Sequence, residues 1–238
     1  MTETSKQESK FYSGYDNWKG WDKFFSYTEE NAQYFLGECR DLKVQGGTVL
    51  EIGFGSGGFM AWARDNGASI VGTEIQPRLL KAAKKADIKT LPAKFEDVAK
   101  ENATRFDLIV AFDVFEHFTL DEIITRLRAT EAMLRPGGHL LLRFPNGQSP
   151  FGLAPQNGDP THKTALSRSI FEQLIQTMDF EIIRYNCAFR MLGNGLPRKL
   201  VRIIRYSIQK AITGLLNIIY TQDIPWEPVV VLVLRKRV

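Results

Sequence analysis

The sequence predicts an α/β protein, a Rossmann-like seven-stranded and mostly parallel sheet with helices on both faces. Three observations carry this. Short apolar runs alternate with amphipathic helical segments along most of the chain, as in βαβ units whose strands are covered on both sides. The run Thr48 to Ile52 breaks into Gly53-Phe-Gly55-Ser-Gly57-Gly58 and passes at once into an apolar helical segment, as a strand, glycine turn and helix do. The 238 residues are 44% hydrophobic and 24% charged, enough for one large core.

In order along the chain, a helix is predicted from about Asp22 to Asp41, then strand 48–52, helix 57–66 and strand 69–74. Pro77 suits a first helical turn and opens a helix to about Ala86. A short strand at 88–91, a short helix near Glu96 to Glu101 and strand 106–111 follow. Helix 121–134 stops at Arg135-Pro136-Gly137-Gly138, read as a turn into strand 139–144. Helix 167–178, strand 180–186 and a last strand from Val229 to Leu234 complete the pattern. Met1 to Lys10 is polar and lacks the apolar stretch of a signal peptide. No run approaches the ~20 apolar residues of a spanning helix. Cys39 and Cys187 lie far apart, so no metal site or disulfide framework is expected, and the easy compartment is reduced and cytoplasmic.

The chemistry begins at the glycine turn. Glu51 lies just before it, and Glu74 ends the next strand-like run 23 residues later, where a carboxylate can grip ribose hydroxyls. Gly53, Gly55 and Gly58 also satisfy G-x-G-x-x-G, which leaves a dinucleotide and a nicotinamide-dependent reductase open. A pyrophosphate wants bare amides and a helix N-terminus there, whereas a ligand bearing an ammonium and a sulfonium favours the carboxylate of Glu51. A strand from Phe106 then delivers Asp113, Glu116 and His117 to the same sheet edge. Glu116 and His117 also admit a helix-start or packing role, and His139, inside a strand pattern, a structural one.

The acid-x-Gly-x-Gly-x-Gly run resembles motif I of the class I S-adenosylmethionine-dependent methyltransferases. Asp113-Val-Phe-Glu116-His117 is similar to their fourth-strand motif, and Leu134-Arg-Pro-Gly-Gly-His-Leu-Leu-Leu to their turn into the fifth strand. The resemblance covers roughly Val44 to Tyr185. It implies the class I methyltransferase fold, S-adenosylmethionine as cofactor, and a cofactor site of Glu51, Gly53, Gly55, Gly57, Glu74 and Asp113. Phe95 and Glu96 take the adenine's usual place, with Lys94 where the family has an acid.

Residues 145–166 are too long and polar for a connecting turn, and such loops are commonly functional. Pro145-Asn-Gly-Gln-Ser-Pro-Phe-Gly152 and Gly158-Asp159-Pro-Thr161-His162 resemble a branch of those enzymes linked to bacterial surface-polysaccharide and O-antigen biosynthesis. That implies a sugar hydroxyl as acceptor; other acceptors are a quinone precursor, a small molecule or a protein. A hydroxyl needs a general base. His162 is the first candidate and His117 the second, with Asp159 to orient either ring. Trp18, Trp21, Phe24 and Phe25 could stack on a sugar or fill the core.

From Arg184 to Gln222 there is no acidic residue. On a helical wheel Leu200, Ile204, Ile208, Ala211, Leu215, Ile218 and Ile219 share one side, opposite Arg198, Lys199, Arg202, Arg205 and Lys210. Three readings stand for Leu200 to Ile219: a peripheral membrane anchor, a core-packing helix, or a dimer-forming one. Nucleic acid is not expected as a partner, since the net charge is only +4 and the bases sit among aliphatics rather than stacking aromatics. The expected organisation is an N-terminal cap over 1–42, a cofactor-binding core over 43–186, a basic amphipathic insertion over 187–228 and a final core strand over 229–238.

Overall fold

The structure is a computed structural model that describes residue 20 and residues 23–238; Trp18, Trp21 and the polar Met1–Lys10 segment lie outside them. Seven strands form one sheet: β1 (Thr48–Ile52), β2 (Ser69–Thr73), β3 (Lys89–Thr90), β4 (Phe106–Phe112), β5 (Leu134–Pro145), β6 (Phe180–Cys187) and β7 (Val229–Lys236). Their order is β3-β2-β1-β4-β5-β7-β6. β7 runs antiparallel to both neighbours, and the other pairings are parallel. The helices are α1 (Glu29–Glu38), α2 (Gly58–Asp65), α3 (Pro77–Lys85), α4 (Leu120–Met133), α5 (Leu153–Asn157), α6 (Arg168–Leu174) and α7 (Leu196–Tyr220).

Period-two alternation explains the two core layers. Leu50, Ile109, Leu140, Leu142 and Leu232 face one side, where Ile123, Leu127 and Met133 of α4 and Phe171 of α6 cover them. Val49, Leu108, Val110, Leu141 and Val231 face the other, under Phe59 and Trp62 of α2. Phe35 of α1 packs on that second layer, its ring 5.4 Å from Phe59 and 5.9 Å from Phe112.

Several boundaries differ from the sequence expectation. Of the helix predicted from about Asp22 to Asp41, the described residues form Glu29–Glu38, which starts where Thr28 and Asn31 close a capping box. Phe95–Val98 is a single 3-10 turn in place of the helix near Glu96 to Glu101, and α6 stops at Leu174 instead of residue 178. Arg135–Gly138 lies within β5. Phe106 pairs with Leu134 and Leu108 with His139, so these residues bulge from the ladder instead of separating strand from helix. Gly137, with φ 74°, permits the bulge.

Candidate active site

The ends of β1, β2, β4 and β5 open into one cavity of about 750 Å³, within the range of small-molecule sites. Glu51, Gly53, Gly55, Glu74, Asp113 and His117 line it. Gly53 and Gly55 have φ of 66° and 52°. A Cβ on Gly53 would lie 2.8 Å from Val114 Cγ2, so the turn needs glycine for space as well as for backbone hand. Gly57, with φ 74°, is the N-cap of α2 and faces the ring of Phe25 instead of the cavity.

The two glutamates are held differently. Glu74 accepts from the backbone N–H groups of Gly55 (3.0 Å), Ile75 (2.7 Å) and Gln76 (3.0 Å). Burial still raises its pKa, against those amides. Glu51 is 5% exposed, and its Oε2 has no hydrogen-bond partner among the described residues. Burial, and then the neighbouring Glu74, push its carboxyl well above the ordinary range, opposed by the Met60 amide. A buried carboxylate without a full set of partners is costly. A cationic ligand would relieve that cost and a pyrophosphate would add to it, so the donor set fits an aminoacyl sulfonium with a ribose better than a dinucleotide.

Asp113 is tied up otherwise. It has φ 57° at the end of β4, and its carboxylate accepts from Arg143 Nε at 3.0 Å and, closer still, from Nη2. Arg143 also donates to the Tyr34 hydroxyl at 3.1 Å. Burial works against the guanidinium, but Asp113 and Tyr34 more than offset it and raise its pKa. Asp113, expected in the cofactor site, is thus engaged first by a guanidinium. The register Phe112↔Arg143 creates the pair, and the only hint in the sequence is a lone arginine in the apolar run Leu-Leu-Leu-Arg-Phe.

Phe95 and Glu96 require correction. Phe95 is fully buried in the main core, and Glu96 pairs with Arg126 at 3.6 Å. Neither reaches the cavity, whose wall here is Ala93 and Lys94, because the 3-10 turn from Phe95 points its first ring inward. Phe24 and Phe25 pack beside Phe54 and Leu79, and the Phe25 amide bonds Ser56 O at 2.8 Å. They brace the glycine turn from the core side.

The histidines exchange places. His117, on the 3-10 turn Phe115–His117, lines the cavity, whereas His162 and Asp159 do not. Backbone bonds from Lys163 and Thr164 to Glu116 O, at 2.8 and 3.1 Å, seat the 159–164 segment behind it. The Thr161 hydroxyl donates to Asp159 Oδ1 at 2.5 Å, and His117 Nδ1 lies 2.9 Å from the Thr161 hydroxyl oxygen and 3.3 Å from Thr161 O. Since the hydroxyl proton goes to Asp159 and a carbonyl only accepts, Nδ1 must carry the hydrogen. His162 packs 4.7 Å from His117, ring to ring, and its Nδ1 donates to Gln156 O at 2.9 Å. Its Nε2 is 3.9 Å from both Glu116 and Asp159. Donor atoms of Glu116, His117 and His162 all lie within 4.8 Å of one another, a spacing that a divalent cation could share. Nothing in the sequence spacing announces that cluster, because the fold brings it together across 46 positions.

A family of methyltransferase domains matches residues 24–185. Among curated proteins the chain is similar to the ubiquinone biosynthesis O-methyltransferase of Vibrio parahaemolyticus, at 27% identity over 101 residues, 40% of this chain and 42% of that protein. It is similar to the enzyme of the same description from Xanthomonas axonopodis pv. citri, at 29% over 107 residues, 42% and 44% of the two chains. The chain thus spans less than half the length of the curated relatives it matches. Among solved structures, a SAM-dependent methyltransferase from Archaeoglobus fulgidus superposes with a TM-score of 0.61 at 16% identity, over 87% of this chain and 91% of that one. That likeness is one of fold.

Proposed function

Because the chain belongs to the methyltransferase-domain family, we propose that it is an O-methyltransferase that draws its methyl group from S-adenosylmethionine. When bound, that cofactor supplies an electrophilic methyl group. Glu51 would hold its positive charge, Glu74 its ribose, and the backbone of Gly53 and Gly55 would let it approach the turn closely. Ala93 and Lys94, in the cavity wall, would flank its adenine. Water exclusion and alignment then supply most of the rate.

The observation that carries the choice of a hydroxyl acceptor is the series Asp159–Thr161–His117, which fixes the imidazole of His117 in the cavity wall. A hydroxyl is a weak nucleophile at neutral pH, so a positioned base should take its proton as the new bond forms. His117 is that base in this reading. Asp159 and Thr161 are positioning residues, and His162 supports the ring from behind. The leading acceptor is a sugar hydroxyl of a surface glycan or its lipid-linked precursor, supported by the polar 145–166 segment beside His117. A second reading, a phenolic hydroxyl of a quinone precursor, is favoured by the description of the curated relatives.

His117→Ala should lower turnover by roughly 10²–10⁴-fold, as loss of a general base does, while S-adenosylhomocysteine affinity holds. Thr161→Val should cost about tenfold, near the worth of one hydrogen bond, and alter the pH–rate profile. Undiminished turnover in His117→Ala would remove the base assignment. Transfer from labelled S-adenosylmethionine to isolated glycolipids, to phenolic quinone precursors and to total protein decides the acceptor.

A further inference from the structure

The helix α7 turns its amphipathic pattern inside out. A helix on a globular protein normally buries its apolar stripe and exposes the polar one. None of the 25 residues of α7 is buried, and the residues partly covered by the rest of the protein are mainly polar: Arg202, Tyr206, Gln209, Thr213 and Asn217. These recur at helical spacing on one face. Three of them are tethered, with Arg202 donating to Glu30 at 3.1 Å, Tyr206 OH to Met191 O at 2.9 Å and Trp226 Nε1 to Asn217 Oδ1 at 2.6 Å. Opposite this stripe Leu200, Ile204, Ile208, Leu215 and Ile218 are 52–77% exposed. The apolar face covers roughly half the circumference and runs about 37 Å at 1.5 Å per residue.

The charge pattern selects what covers this face. Arg198, Lys199, Arg205 and Lys210 are exposed at the borders of the covered stripe, and no acid occurs from Arg184 to Gln222. A second copy of this face would bring cations against cations. A surface of anionic headgroups over hydrocarbon would satisfy both components, with lysine and arginine reaching back to the headgroups as their stems cross the interface. No helix among the described residues is long and apolar enough to cross a membrane, so the contact would lie in the interface plane.

We propose that α7 is a docking surface for an anionic lipid bilayer. The placement also bears on the site. Cys187 and Pro145 end β6 and β5 at the same sheet edge, through Val230 and Val229 of β7, so the α7 connection leaves the edge that holds the cavity. Ser149 Oγ donates to Trp226 O at 2.6 Å, and Asn146 Nδ2 to Pro225 O at 2.7 Å. The segment behind α7 is thereby fastened to the polar loop after β5, and a docked α7 keeps that loop near the lipid surface, where an amphiphilic acceptor resides.

Sedimentation with phosphatidylcholine vesicles, with and without about one quarter phosphatidylglycerol, tests this on the full chain. Each cation near such a surface adds about fivefold to partitioning, and salt screens that part but not the aliphatic insertion. The protein should pellet with the anionic vesicles, less strongly but still measurably at high salt, and bind phosphatidylcholine alone only as weakly as it binds the anionic vesicles at high salt. Ile204→Glu with Ile208→Glu should release it at least about tenfold, while retained S-adenosylhomocysteine binding reports that the domain is folded. Failure of the unaltered protein to pellet overturns the proposal. So does a dimer that the same two changes dissociate, since α7 is then an interface between copies. Neither outcome depends on methyl transfer, so docking and the enzymatic reading fail separately.

Discussion

Glu51 makes the cavity sensitive to pH in a direction that can be worked out. Its carboxyl is raised by burial and then by Glu74, so the folded protein holds a proton that the unfolded chain has released. The stability it contributes is therefore present at low pH and lost as pH rises from the ordinary carboxylate range through the raised value. A cationic ligand reverses the preference by favouring the ionised form. Affinity for S-adenosylmethionine should climb with pH over that window, by up to about tenfold per unit, and level off above it. Calorimetric titrations across the window should show a shallower slope for S-adenosylhomocysteine, which lacks the sulfonium. Glu51→Gln should flatten the slope for both. A slope unchanged in Glu51→Gln would place the titrating group elsewhere.

At the scale of elements, the turn that carries His117 is anchored by the start of α4. Thr119 caps that helix in a capping box with Glu122, its amide bonding Oε2 at 2.8 Å and its hydroxyl accepting from the Glu122 amide. Thr119→Ala should cost about 1 kcal/mol and lower Tm by about 2–4 °C in a domain of this size. Thermal unfolding followed by circular dichroism checks this. The seven strands and the glycine turn were legible because apolar runs and positive-φ glycines are local signals. The Arg135–Gly138 bulge was not, since proline and glycine signal an irregularity without saying whether the chain leaves the ladder. Nor was the order of the histidines. His117 and His162 are both plausible by residue type, and only the bonds from Lys163 and Thr164 to Glu116 O set one ring in front of the other. Phe95 misled for a related reason: a phenylalanine in the turn that follows a strand serves a pocket or a core equally well, and here the core takes it.

Across the whole molecule, stability is unevenly distributed. Ile109 at the sheet centre is fully buried, whereas Ile204 and Ile208 on α7 are more than half exposed. Ile109→Ala should cost about 2–5 kcal/mol; Ile204→Gln with Ile208→Gln should stay within about 0.5 kcal/mol of the unaltered protein. Urea titrations of the two variants measure the contrast, and a large loss from the α7 pair would mean that its apolar face has a partner within the chain. Finally, β7 lies between β5 and β6, although it is made after both. A nascent chain that has reached Cys187 still has a bare edge on β5 and no neighbour for β6. Val229–Lys236 supplies two ladders at once, through register pairs such as Leu141↔Val233 and Tyr185↔Leu232. Unpaired edges invite pairing with other chains. During synthesis, then, a ribosome that stalls within α7 would hold out an aggregation-prone half-sheet, and the last strand closes the protein like a keystone set after the arch.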